Sequence, residues 1–198
     1  MSDFRDPYLD YENGVLRNLV KATSEERLNL IEADITSSQA TGVNSANISR
    51  TNDLKELQAI HKHLFEKIYD WAGQIRIVDI FKNVEGADYF LLVSQIYVAA
   101  DYVFGELKAE DFLRGLEHKK FVERLAYFYD QLNFIHPFRE GNGRTQRIFW
   151  SRVAKDAGYL IDWDKLEKAE NDEASRMAAE NSDLSLLVKM IDKVVGKI

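Results

Sequence analysis

Cysteine is absent from the 198 residues, which excludes disulfides and thiolate metal sites. Proline occurs only twice, and there is no internal repeat. No apolar run reaches the ~18 residues that a membrane span needs. The opening residues, Met-Ser-Asp-Phe-Arg-Asp, lack a basic stretch followed by an apolar core, so no secretory signal is expected and a cytoplasmic location is the default. Cations are in deficit: 26 Lys and Arg stand against 33 Asp and Glu, a net charge of −7. That argues against a generic binder of nucleic acid or anionic membrane, while leaving room for a local basic pocket. Walker A, protein-kinase and His-Glu-x-x-His patterns are also missing. What is present, 45% hydrophobic and 30% charged residues, is ordinary for a soluble globular chain, and the length fits a single domain over 1–198.

Helical spacing dominates the pattern. Thr23 and Glu26 have capping-box spacing, and Leu28, Ile31 and Ile35 follow on one face, predicting a helix over about 23–36. Residues 37–52, rich in Ser, Thr, Asn and Gly, read as a loop. Asp53 is placed to cap a second helix with Leu57, Ile60, Leu64, Ile68 and Trp71 inward, ended by Gly73. Residues 74–81 alternate and are β-branched, as in a strand; 82–88 are turn-like, with a short return arm near Tyr89-Phe90. A third helix is expected from about Leu91. A fourth, over 119–135, carries Phe121, Leu125, Phe128, Leu132 and Ile135 on a stripe; Pro137 ends it, because proline disfavours helix at the preceding residue. Helices over 144–157, over 164–179 and after Asp183 complete the reading. The predicted fold class is all-α, a helical bundle with one small β-hairpin.

The run His136-Pro-Phe-Arg-Glu-Gly-Asn-Gly-Arg-Thr-Gln-Arg147 carries the chemistry. Gly141-Asn142-Gly143 can take positive φ cheaply, so successive N–H groups can point into one concavity. That concavity lies at a helix N-terminus, where unpaired N–H groups and the dipole favour anions. Arg144 and Arg147 share a face of the first turn. Cations there are disfavoured by roughly 0.3–1 kcal/mol each, which makes sense beside a bound anion. His136, with an ordinary pKa of about 6.5, is suited to take a proton from a hydroxyl at neutral pH. Glu140 reads as a solvated loop acid or as a ligand of Mg2+, which takes one or two carboxylates plus phosphate oxygens and water. Phe138 reads as packing and Arg139 as solvent-facing. His61 and His63 lie two apart on a helix, so a shared metal is not expected. Taken singly, each residue keeps a bland reading: a tight turn, surface ion pairs, a histidine satisfying a helix end.

As a whole the run resembles the signature of the Fic family, His-x-Phe-x-Asp/Glu-Gly-Asn-Gly-Arg-x-x-Arg, with every defining position filled. Residues 60–76 are similar to the family's helix leading into a hairpin called the flap, and Gly158-Tyr-Leu-Ile-Asp-Trp163 is similar to its connector. The Fic core would run from about 52 to 198, and residues 1–51 resemble the N-terminal helical extension of the family's compact bacterial toxins. The resemblance implies transfer of AMP from ATP to a hydroxyl side chain of a target protein. His136 would be general base and Glu140 would hold Mg2+. The backbone of Gly141, Asn142 and Gly143, with the Asn142 side chain, would cradle the phosphates. Arg144 would assist, and Arg147 would grip the γ-phosphate. The 79–90 hairpin would hold an extended target segment by main-chain pairing, with Lys82 and Phe90 as contacts.

Many Fic proteins carry an inhibitory helix, Ser/Thr-x-x-x-Glu-Gly/Asn, whose glutamate pairs with the last motif arginine, here Arg147. No Ser or Thr in this chain has Glu four residues later. Ser175 precedes Glu180-Asn181 by one residue too many, a rotation of about 100° on a helix. This absence resembles the toxin class, in which a small antitoxin supplies the helix and targets include bacterial type II topoisomerase subunits. The expectation is a toxin restrained in trans, with no direct nucleic-acid or membrane contact. Rival readings are transfer of UMP, phosphocholine or phosphate, removal of AMP, and a non-catalytic nucleotide-binding module. Intact Asn142-Gly143 favours AMP transfer, and intact His136 and Glu140 argue against the last.

Overall fold

A computed structural model describes residues 5–43, 45–81 and 90–198. Among them are seven α-helices and two small antiparallel strand pairs. The first pair, β1 (Leu9–Asp10) with β2 (Val15–Leu16), joins Leu9 to Leu16 in a segment that the sequence reading expects to be a helical extension. Gly14, at φ 70, makes the turn.

Helix α1 (Glu25–Gly42) is capped by Ser24, whose hydroxyl accepts the Arg27 N–H, rather than by Thr23. It also continues through residues expected to be loop. The reason is tertiary. Gln39 donates from its side chain to the His63 carbonyl at 2.9 Å, and the His63 ring meets the Gln39 carbonyl at 3.0 Å. The fully buried residues are Leu28, Glu32 and Thr36, with Ile35 partly buried against the core.

Helix α2 (Leu54–Phe65) starts where expected. The Asp53 carboxylate caps it, accepting from the N–H groups of Lys55 and Glu56. Leu57, Ile60, Leu64, Ile68 and Trp71 are all buried, although the helix stops at Phe65 and turns carry the chain to Gly73. Residues 74–80 form no strand among the described residues; Phe81 alone makes a bridge. The Phe90 N–H donates to the Ile80 carbonyl at 3.2 Å, one bond between the two arms of the expected hairpin, and the buried Arg76 side chain takes carbonyls on this segment and beyond it. The turn at 82–88 and the return arm to Tyr89 lie outside the described residues. The next helix, α3 (Ile96–Ala109), begins later than residue 91, after one 3-10 turn at Val93–Gln95.

Helix α4 (His118–Ile135) runs through the middle, with its whole predicted stripe buried. It packs on α3, on α5 (Asn142–Asp156), and on the antiparallel end pair α6 (Lys168–Asn181) and α7 (Ser185–Val194). Helix α2 covers the other side of α5. Val195, expected in the last helix, instead opens strand β4 (Val195–Lys197), which pairs with β3 (Tyr159–Ile161) and ties the end of α5 to the end of the chain.

Two buried contacts hold α2, one to α5 and one to the motif loop before it. At one end Arg152 pairs with Glu56 at 2.6 Å, and Glu56 also accepts the Asn52 N–H. At the other end His61, 0% exposed, stacks between Phe65 and Phe138 at centroid distances of 4.7 and 4.0 Å. Its Nδ1 accepts the Gly73 N–H at 2.7 Å, which requires that Nε2 carry the proton, donated to the Glu140 carbonyl at 2.9 Å. A protonated ring could not accept from Gly73. Burial pushes the His61 pKa down to about 4 against the carbonyl bond, and the Arg144 charge adds to the shift.

The depressed pKa has a stability consequence. The unfolded chain binds a proton at this position near pH 6.5, the folded chain only near pH 4, so stability is full above pH 6.5 and falls as pH drops through that window. The contribution at pH 4 is on the order of 3 kcal/mol. Urea unfolding measured from pH 7 to pH 4 should reveal this slope, and it should flatten in His61→Gln. An unchanged slope in the variant would assign the acid sensitivity to other groups.

Candidate active site

His136 ends α4 in the left-handed conformation, φ 46 and ψ 62, as the residue before Pro137 must leave the helix. Its N–H still reaches the Leu132 carbonyl, and its own carbonyl accepts Arg76 Nε at 2.8 Å. The ring is half-buried, stacked on Phe90 at 3.7 Å between centroids. Its Nδ1 lies 3.3 Å from the Asn133 carbonyl. A carbonyl can only accept, so Nδ1 carries the proton and Nε2 is the basic nitrogen.

Arg76 closes the 60–76 segment. The structure makes it the clamp of the site. The guanidinium is fully buried and donates to the carbonyls of His136, Val78, Leu91 and Ile135. Its backbone N–H donates to the Pro137 carbonyl at 2.9 Å. It thus satisfies the C-terminal carbonyls of α4 and holds both flanks of the 82–89 segment against the motif loop. Burial lowers its pKa, with Asp79 opposing, but arginine stays charged and so keeps all its donors.

The motif loop is narrower than the sequence reading supposes. Of Gly141, Asn142 and Gly143, only Gly141 has positive φ, at 80°. A Cβ on Gly141 would meet the Phe65 ring at 2.3 Å, so both conformation and space demand glycine. Asn142 and Gly143 are already helical and form the first turn of α5. Space beside Gly143 is open. The Asn142 side chain is buried and bonded both ways to the Phe138 backbone, at 2.9 and 2.8 Å. It shapes the loop, and its available group is the backbone N–H. No side chain caps α5, so the N–H groups of Asn142, Gly143 and Arg144 lack partners among the described residues.

Glu140 is half-exposed. One of its oxygens accepts the Gly141 N–H at 2.8 Å and lies 3.4 Å from Arg144. Arg144 and Arg147 leave the first turn toward different neighbours. Arg144 reaches Glu32 and Thr36 on α1 and lies over the Phe65 ring. Arg147 sits 5.7 Å over the Trp163 ring, and its Nε is buried without a partner among the described residues. Trp163 is fixed in turn by donating to Ser151 and to the Arg147 carbonyl. Arg139 does not face solvent; it forms a half-buried pair with Asp6 at 2.9 Å. Lys82 lies outside the described residues.

Three residues that sequence reasoning did not assign to the site thus support it: Arg76, His61 and Glu32. None could be found by apolar periodicity, because each is polar and turned inward. A buried polar residue in an apolar stripe is the one available signal, and it is weak without a known partner.

A model of the Fic/DOC family matches residues 51–154. Protein adenylyltransferase VbhT of Bartonella schoenbuchensis is 42% identical over 86% of this chain, which spans 35% of VbhT. The Fic protein of Escherichia coli K12 is 36% identical, with 98% of this chain and 94% of that protein covered. Among solved structures, the N-terminal Fic domain of a VirB-translocated Bep effector from Bartonella quintana, with bound ADP, has a TM-score of 0.89 at 26% identity, covering 96% of this chain and 94% of that one. Motif, helical fold and relatives coincide, and the chain belongs to the Fic/DOC family.

Proposed function

We propose that the protein transfers AMP from ATP to a hydroxyl side chain of a target protein. One observation carries this reading. A basic ring nitrogen, on His136, stands in the same loop as a helix N-terminus whose first three N–H groups have no partner among the described residues, with two flanking arginines. That pairing suits in-line attack at a phosphate. The target oxygen would bond to the α-phosphorus as its proton passes to His136 Nε2. The bond to the bridging oxygen of the β-phosphate would break, and pyrophosphate would leave. The N–H groups of α5 would stabilise charge on the phosphate oxygens. The orphaned Arg147 Nε fits a γ-phosphate, and Arg144 would assist. The name of VbhT, a protein adenylyltransferase, supports the same reaction.

Mg2+ would neutralise charge on the phosphates. The residues fit it: Glu140 is a half-exposed carboxylate with one oxygen outside the bonds to Gly141 and Arg144, and such a site needs few protein ligands. Phe90, stacked on His136, and Lys82 are proposed contacts for the target segment.

We further propose that the chain acts as a toxin held inactive by a small antitoxin, with type II topoisomerase subunits as the first targets to test. Two observations support restraint in trans. The chain has no Ser/Thr-x-x-x-Glu helix, and among the described residues no carboxylate pairs with Arg147. A glutamate delivered by a partner would meet both the dipole and the guanidinium.

Three outcomes are expected. His136→Ala should lower the rate of AMP incorporation from α-labelled ATP by ~10²–10⁴-fold, while the Kd for ATP changes only a few-fold. Retained turnover with lost ATP affinity would reject the base assignment. EDTA should stop transfer without lowering the melting temperature, and Glu140→Gln should raise the Mg2+ concentration needed for half-maximal rate. Full activity in chelator would sink the metal role. Co-expression with a small protein that carries a Ser/Thr-x-x-x-Glu helix should silence transfer, and a Glu→Gly change in that partner's helix should restore it. A partner variant that still inhibits fully would refute the switch.

A further inference from the structure

Glu32, on the inner face of α1, is 5% exposed. One of its carboxylate oxygens accepts from the Tyr69 hydroxyl and the other from Arg144 Nη2. The guanidinium is held from other sides as well. Thr36 Oγ1 lies 3.4 Å from Nη1, Glu140 lies 3.4 Å from Nη2, and the Phe65 ring centre lies 4.9 Å from Cζ. Three of the five N–H donors of Arg144 are engaged in this way among the described residues.

Packing alone does not account for an acid here. Apolar residues of similar volume serve a buried helix contact as well as an ion pair or better. Affinity for an anion does not account for it either, because a carboxylate beside Arg144 weakens the pull of that cation on phosphate. What the arrangement does supply is direction. A long, flexible side chain is fixed by an acid that is itself anchored by a buried tyrosine, so its remaining donors need not reorganise when charge develops.

We propose that Glu32 is a positioning residue for the phosphate chain of a nucleoside triphosphate, acting through Arg144, and that α1 is thereby part of the transfer site. This rests on the AMP-transfer reading above. Glu32 aligns the guanidinium with the N-terminus of α5 and so aligns the α-phosphate for attack. Its signature is a split: the rate at saturating ATP depends on it, and the ATP requirement does not.

The test compares the full wild-type chain with Glu32→Gln and Tyr69→Phe, using α-labelled ATP, Mg2+ and a bacterial lysate, with circular-dichroism melting alongside. Glu32→Gln should lower the saturating rate of label incorporation by about tenfold to a hundredfold. The ATP concentration for half-maximal rate should stay within about threefold of wild type, or fall. Tyr69→Phe, which leaves the charged pair in place, should reproduce the split with a smaller loss; it carries the test if Glu32→Gln fails to fold. A higher rate in Glu32→Gln would make the acid a brake and overturn the proposal. So would an unchanged saturating rate with only a lower melting temperature, or a loss confined to the ATP requirement. Wild-type chain that transfers no label rejects the AMP-transfer reading itself, whereas active wild type with equally active variants rejects this inference alone.

Discussion

A single buried guanidinium, that of Arg76, sets the frame on which the motif loop stands. Among the described residues its one carboxylate neighbour is the half-exposed Asp79, at 3.8 Å, and its charge is met as well by the carbonyl dipoles of Ile135, His136, Val78 and Leu91. Those carbonyls at the end of α4 would otherwise be unsatisfied. The same contact therefore ends a helix, fixes the backbone of His136 in its left-handed turn and draws in the chain on both sides of residues 82–89. Replacing such a group by an apolar one would strand several buried acceptors at once, each costing about 1–3 kcal/mol.

The opposite side of the loop depends on close approach. Phe65 and Phe138 enclose His61, and the missing Cβ of Gly141 lets the loop lie against Phe65. His61 fixes the direction of the Glu140 carbonyl. In a trans peptide the following N–H points the other way, and that N–H, of Gly141, is bonded to the Glu140 carboxylate. The loop thus turns its carbonyl toward the core and leaves the first N–H groups of α5 for an anion.

Charge is distributed unevenly around that N-terminus. Arg144 is neutralised from α1 by Glu32, whereas Arg147 rests on an indole and keeps a polar atom unpaired. Two arginines that look equivalent in the sequence thereby take different positions. One is directed by a carboxylate, and the other keeps a buried Nε without a partner among the described residues, where interaction with an anion is stronger than in water.

The sequence by itself determined the helical class, the positions of α2, α4 and α5, and the twelve-residue motif, because these rest on local rules: apolar spacing, the Asp53 cap, the Pro137 stop and the glycine turn. It could also identify His136, Glu140 and the two arginines as a group, since they are neighbours in the chain. Only the tertiary structure decided the rest. Helix α1 outran its predicted end because Gln39 bonds across to α2. Its buried face took in Glu32 and Thr36, which meet a cation there. Asn142 was taken by the Phe138 backbone, and Arg139 by Asp6. The supporting residues Arg76, His61 and Glu32 are polar groups whose contacts with Ile135, Glu140 and Arg144 span 59, 79 and 112 residues, and no local pattern encodes a pairing of that kind.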